Sequence, residues 1–309
     1  MAEGSEVRAW GDLTPDALGL IFRSLPLEDI LTVIPTVCKS WGRAVSGPYC
    51  WQEIDIGEWS EMCKPEQLDQ MLHMLIARSC GSFRSLRAYG LSESMFSFMA
   101  DHAGSLQRLE LPRSEISDSI VELVAPRLSN LTYLDLSYCR KIGARAIEAF
   151  GKNCRSLTYL VRRIHPTEWA IDNVCQDDEA YAIAKTMPQL RHLQLPYFLL
   201  TTQGALEIIS KCRDLEHLDL RGCWNVTLDE KYLKEWHSNL HVIGPDIIDC
   251  YEHYFWDGCT VYSDSSYSWE FMEHEDDVQE GVNDDELWED EQGLGSLEFR
   301  FYEDWPPSP

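Results

Sequence analysis

A chain of 309 residues, 44% hydrophobic and 25% charged, has the composition of a folded protein rather than a disordered one. Its 26 Lys and Arg against 52 Asp and Glu leave a net charge of −26, which repels phosphate backbones and argues against nucleic-acid binding. No apolar run approaches a bilayer span, and the acidic start Met1–Glu6 lacks the apolar core of a secretory signal, so a soluble protein of the nucleus or cytoplasm, without a membrane partner, is expected.

Residues 10–56 read as a first unit. Thr14-Pro15-Asp16 spells a helix start, with a hydroxyl at the N-cap, proline at the first helical position and an acid in the first turn. Leu18, Ile21, Phe22 and Leu25 follow at i, i+3, i+4 and i+7, which makes one apolar stripe. Leu25-Pro26 ends that helix, and a second short one runs through Asp29, Ile30, Leu31 and Ile34, where Pro35 is expected to interrupt it. A third carries Val37, Cys38, Trp41 and Val45 as far as Gly47-Pro48. Three short helices bury little core of their own and gain by packing on something else.

This segment resembles an F-box. The residues that carry the likeness are Leu13, Ile21, Leu25, Asp29-Ile30-Leu31, the run Val37-Cys38-Lys39-Ser40-Trp41, and Trp51 with Ile54-Asp55-Ile56. Two features depart from the pattern. The proline of the opening comes one place late in Leu13-Thr14-Pro15, and the stretch from Asp29 to Val37 is one residue longer than common. The resemblance implies docking on a Skp-type adaptor, and through it on a cullin, with Leu13, Ile21, Leu25, Ile30, Val37 and Trp41 facing that adaptor.

Residues 57–79 put Leu68, Met71, Leu72, Leu75 and Ile76 on one face and are expected to form a linking or capping helix. From residue 80 one phrase recurs: an apolar or Cys residue, then Leu at the third, sixth and eighth places after it. Cys212 to Cys223, with Leu215, Leu218 and Leu220, is the clearest copy. The first leucine-type position falls at residues 83, 106, 131, 157, 190, 215 and 240, at spacings of 23, 25, 26, 33, 25 and 25. A leucine-rich repeat has a period of roughly 20–29 residues. Leu-x-Leu turns two side chains inward from a short strand, and amphipathic stretches such as Gly204–Ser210 read as helices on the outer side. The expected fold is therefore α/β: a small all-α three-helix unit, then a right-handed solenoid of about seven repeats over residues 80–262.

The cysteines within the phrase resemble the cysteine-containing leucine-rich repeats of F-box proteins, and the whole looks like an F-box leucine-rich-repeat protein of plant type. There is no Cys-x-x-Cys among the 11 cysteines, and His237 and His241 have no cysteine pair to complete a zinc site. Free, buried thiols are expected, with no metal and no cofactor. Residues 263–309 form an acidic tail expected to be disordered; from Asp264 onward sixteen acids face only Arg300.

The sequence holds no nucleophile elbow, phosphate loop or His-Glu-x-x-His, so no catalytic residue is assigned. Recognition remains. Residues between and just after the inward leucines are expected on the concave face of a solenoid: Arg87, Tyr89, Glu110, Arg113, Asp135, Tyr138, Arg162, Arg163, Gln194, Tyr197, Asp219 and Arg221. The 33-residue interval adds Trp169 in an insertion. The resemblance implies the substrate receptor of a Skp–cullin–F-box ubiquitin ligase, whose repeats bind the protein to be ubiquitinated. An F-box scaffold outside a ligase and a plain repeat module are the alternatives.

Overall fold

Strands of three residues recur along the chain, each with a leucine or its equivalent at its centre. The computed structural model describes residues 10, 13–164, 175–229, 233 and 239–245. Trp169 and the acidic tail lie outside the described residues.

Helix α1 spans Pro15–Phe22, entered from Thr14 in an extended conformation with proline at the first position. Leu18 and Phe22 are buried, while Leu20 and Ile21 face out. Asp29–Val33 then form a π-helical turn that runs directly into α2, Ile34–Val37. Pro35 does not break this segment, contrary to expectation. The i to i+5 turn, closed by the Ile34 N–H on the Asp29 carbonyl, takes up one extra residue just before the proline, whose missing N–H then falls in the first turn of α2. Helix α3 covers Lys39–Ser46, and a 3₁₀ turn at Pro48–Trp51 follows. The Trp51 indole N–H donates to the Val45 carbonyl at 2.6 Å, which ties that turn to α3. Gly19 lets α1 lie against the same turn: a Cβ there would come within 2.5 Å of the Tyr49 Cβ.

The sheet begins earlier than the repeat phrase suggests. Strand β1, Glu53–Asp55, pairs in parallel with β2, Ser85–Arg87. It is followed by β3 (Arg108–Glu110), β4 (Tyr133–Asp135), β5 (Tyr159–Val161), β6 (His192–Gln194), β7 (His217–Asp219) and β8 (His241–Ile243). Among the described residues these eight strands lie in chain order, all parallel. In register, Ile54, Leu86, Leu109, Leu134, Leu160, Leu193, Leu218 and Val242 form one inward row. The first strand thus comes from the segment read as the end of the helical unit, because Ile54-Asp55-Ile56 alternates as a strand does. Residues 57–79 are two helices, α4 (Gly57–Met62) and α5 (Pro65–Ser79), since Pro65 can only start a helix.

Among the described residues the further crossover helices are α6 (Glu93–Asp101), α7 (Asp118–Val124), α8 (Ala144–Asn153), α9 (Asp177–Thr186) and α10 (Thr202–Lys211). Their buried faces, such as Ala146, Ile147 and Phe150 of α8, close the leucine core. Repeat cysteines tie neighbours together: the thiols of Cys139, Cys154, Cys212 and Cys223 reach the carbonyls of Leu111, Leu128, Met187 and Leu195 at 3.1, 3.2, 3.5 and 3.1 Å. Each bond spans about one repeat of sequence, which serves a solenoid where stability passes between neighbours.

Candidate functional site

Two surfaces stand out, one on the helical unit and one on the sheet. On the helical unit, Leu20, Ile21, Leu25, Val33 and Val37 are 37% to 66% exposed. Isolated exposed leucines are ordinary, but five large apolar residues left exposed within eighteen positions are many for so small a unit. Ile21, Leu25 and Val37 were expected there. Leu13 and Trp41 are half-buried, with the Trp41 ring edge-on to Phe22 at 5.1 Å. Ile30 is a correction: it is only 5% exposed. Ile30 and Ile34 sit four apart and turn inward together, so Val33 and Val37, also four apart, turn outward. Leu20 and Val33 were not anticipated, although Leu20 is apolar on what should be the wet side of its helix.

On the sheet, residues flanking each inward leucine point to the solvent face. The residue before it builds an unforeseen stack: Tyr133 on Tyr159 (4.6 Å), Tyr159 on His192 (4.9 Å), His192 on His217 (4.7 Å) and His217 against His241 (5.7 Å). The Arg108 guanidinium closes one end, 3.6 Å from the Tyr133 ring centre. The signal was present as aromatic or His at one fixed repeat position, 133, 159, 192, 217 and 241. Burial, with Asp135 and Glu110 nearby, pushes the Tyr133 phenol up to about 12. Burial and the neighbouring His217 hold His192 below its ordinary value.

The residue after the leucine forms a second row, tied by polar contacts. Arg87 donates to the Tyr89 hydroxyl at 2.6 Å and lies 3.7 Å from Asp55 and 3.8 Å from Glu110. Gln194 donates to the Tyr159 hydroxyl at 2.6 Å and accepts from Arg163 at 2.9 Å. Asp135 accepts from the Ser137 N–H at 2.8 Å and hydroxyl at 2.5 Å, and burial raises its carboxyl above the ordinary range. Arg113 and Tyr138 follow at the strand ends, the guanidinium 5.9 Å from the ring centre.

Three of the face residues are placed differently from expectation. Arg162 is buried, because it occupies the third inward position of its repeat, where its neighbours have leucine. Its charge meets Glu179 at 3.2 Å, and it donates to the carbonyls of Leu136 (3.3 Å) and Ile142 (2.9 Å). Asp219 is buried beneath Arg221, whose Nη2 lies 2.8 Å from it. Tyr197 is buried with its ring packed where Gly222 has no side chain.

The repeat thiols are held neutral by burial, Cys154, Cys212 and Cys223 at about 12, so they are poor nucleophiles. Among the described residues, no group of three or more His, Cys, Asp or Glu gathers as a metal site. Nor is any described helix long and apolar enough to cross a membrane.

A helical unit with an exposed apolar surface, continued by a leucine-row parallel solenoid, defines an F-box protein with leucine-rich repeats. The F-box domain profile matches residues 10–53 and a leucine-rich-repeat profile matches residues 127–151. The chain is 50% identical over 323 aligned residues to F-box protein FBW2 of Arabidopsis thaliana, covering 100% of both chains. F-box protein SKIP1 of the same plant is 32% identical over 237 residues, covering 69% of this chain and 79% of the relative. A solved structure, the Rad7 and Elc1 complex in yeast, matches at 15% identity over 57% of this chain and 65% of that one, with a TM-score of 0.34, a likeness too remote to bear on function. The chain belongs to the F-box family.

Proposed function

We propose that this chain is the substrate-receptor subunit of a Skp–cullin–F-box ubiquitin ligase. Its F-box would dock on the Skp-type adaptor, and through it on the cullin, while the solenoid holds the protein to be ubiquitinated. Ubiquitin transfer would take place elsewhere in the assembly, so this subunit contributes proximity and orientation rather than reacting groups. A nuclear or cytoplasmic setting goes with that role. The observation that carries the reading is the exposed apolar surface of Leu20, Ile21, Leu25, Val33 and Val37 on the unit matched by the F-box profile.

Central apolar anchors of an interface each cost about 2 kcal/mol or more when truncated. Capture of purified Skp adaptor by Ile21→Asp and Val37→Asp variants is the test. Both side chains face solvent, so the variants should melt like the wild type yet capture no adaptor. Wild-type capture by both would refute adaptor docking through this surface. Where the adaptor binds, a reconstituted ligase with a trapped partner should ubiquitinate it; capture without ubiquitination would leave the chain an F-box scaffold.

A further inference from the structure

We propose that the second half of the sheet face, from β4 to β8, docks an uncharged, aromatic-bearing extended segment of a partner protein; as the site of substrate capture, this rests on the receptor reading above. The face changes character between β3 and β4. On β1 to β3 the residues flanking the inward leucine position are Glu53, Asp55, Ser85, Arg87, Arg108 and Glu110. Their charges are tied up locally: Glu53 by Arg23, and Asp55, Arg87, Glu110 and Arg108 by one another. On β4 to β8 the residue before the inward position is Tyr or His throughout. The residue after it is uncharged except at Asp135 and Asp219.

The charges of this second half are already engaged. Asp219 is buried, with the Arg221 Nε and Nη2 at 3.0 and 2.8 Å. Asp135 accepts from Ser137 and lies in the field of Arg163, whose Nη2 is turned onto neutral Gln194 at 2.9 Å. His192, held below its ordinary value, adds no charge at pH 7. A Lys, Asp or Glu laid on this strip would give up its water and meet no opposite charge in return. An uncharged segment incurs no such penalty.

Geometry sets the size of the occupant. The rings of Tyr133, Tyr159, His192, His217 and His241 stand on five successive strands, so the strip crosses four strand spacings of ~4.8 Å and is roughly 19 Å long. An extended segment rising ~3.3 Å per residue would cover it with about six residues. The first four rings lie within 26° of parallel to their neighbours, so they cover one another's faces and turn their edges outward. Those edges mix apolar carbon with phenol hydroxyls and ring nitrogens. They suit the amide groups of a peptide and the flank of an aromatic side chain. His217 and His241 are exposed, and the other three rings are half-buried.

The strip is also set before a partner arrives. Arg108 closes its first end over Tyr133 and is itself held by Glu110 at 2.5 Å. The Gln194 amide donates to the Tyr159 hydroxyl at 2.6 Å. Side chains fixed in this way lose little freedom on binding. Interface cores are depleted in charge and enriched in aromatic residues, with a polar rim around them. The ring strip, bordered by the linked charges of β1 to β3, has that arrangement.

The test pans a random heptapeptide phage library on the purified full chain and measures the enriched peptides, labelled, by fluorescence anisotropy. They should carry aromatic residues and no charge at their centre, and placing either Asp or Lys there should weaken binding roughly ten-fold or more. His217→Asp, which puts a charge on the strip, should lower affinity by a similar factor, roughly ten-fold. Uncharged His217→Gln should stay within about three-fold of wild type, and Lys211→Glu, at the end of α10, within about two-fold. Should His217→Asp fail to melt like the wild type, His241→Asp takes its place with the same loss expected. Enrichment of acidic or basic peptides, no enrichment at all, or full-strength binding by the Asp variant would overturn the proposal. Adaptor capture is scored on the same preparations. Capture without peptide binding refutes the docking strip alone; peptide binding without capture refutes the receptor reading alone.

Discussion

Arg162→Leu would restore the leucine that the repeat otherwise places at that inward position, yet it should be strongly destabilising. Arg162 is 3% exposed and Glu179, at the start of α9, is 6% exposed. Removing the guanidinium deletes a 3.2 Å bond to the Glu179 carboxylate and two bonds to carbonyls, and it leaves that carboxylate buried without its cation. Breaking one side of a buried pair costs about 3–5 kcal/mol, whereas replacing both partners by apolar residues is often neutral or better. The double variant Arg162→Leu with Glu179→Met should therefore recover most of the loss. Urea unfolding of all three proteins at pH 7, followed by circular dichroism, gives the comparison. The sign of the pH dependence is also determined. Burial raises the Glu179 carboxyl above its ordinary 4.5, against the lowering pull of Arg162. Without Arg162 it rises further, so the folded variant holds a proton that the unfolded chain releases more readily. Its stability is greatest below the unfolded value and is lost as pH rises through the folded one. The deficit against wild type should shrink as pH falls from 7 towards 5. An Arg162→Leu protein as stable as wild type at pH 7, with no such trend, would refute a buried and mutually dependent pair.

Other expectations follow from packing and burial. Gly151→Ala would drive a methyl group into Thr186 of α9 and should cost about 1–3 kcal/mol by thermal melting, partly restored by adding Thr186→Ala. Iodoacetamide with mass spectrometry should label the exposed Cys38, Cys80 and Cys175 in the native protein, and Cys139, Cys154, Cys212 and Cys223 only after unfolding. His192 is held below its ordinary 6.5, so the unfolded chain binds its proton more readily and the stability it contributes is lost as pH falls through that range. A His192→Gln variant should show a flatter decline of melting temperature over that interval, and an unchanged decline would count against the stacked arrangement.

The solenoid was legible because its signal is repetition. A leucine returning at nearly constant spacing has one economical explanation, and the register of Leu86, Leu109, Leu134, Leu160, Leu193 and Leu218 matches it residue for residue. What escaped were departures from repetition that are settled in three dimensions. Trp51, Ile54 and Ile56 keep the spacing of the leucine phrase without any of its leucines, and the strand they build pairs with β2. Arg162 resembles a surface arginine until its partner, seventeen residues away, is brought against it. Ile30 and Val33 exchange inward and outward roles through a π turn that no spacing in the sequence announces. The aromatic and imidazole stack was readable in principle, since it keeps one repeat position. It does not follow the residue types looked for, because tyrosine and histidine there are alike only in being flat.

The consequence of β1 is mechanical. If the helical unit and the repeats were joined by a flexible segment, a captured partner would sample a wide volume and orientation would be lost. Instead the chain passes from the turn at Pro48–Trp51 into the first strand with only Gln52 between them. The Gln52 carbonyl accepts from Arg84 N–H at 2.7 Å, and Ile56 N–H donates to the Arg87 carbonyl at 3.0 Å. Arg23 of the segment after α1 pairs with Glu53 on the strand itself. The helices carrying Ile21 and Leu25 and the first strands of the sheet are thus parts of one continuous hydrogen-bonded body. In the receptor proposed above, such stiffness would convert binding at one end into a defined position at the other. It also limits how far damage spreads: a charge buried at Ile30 would loosen α2 and its neighbours. Repeats beyond β2 depend mainly on the strands beside them and would hold.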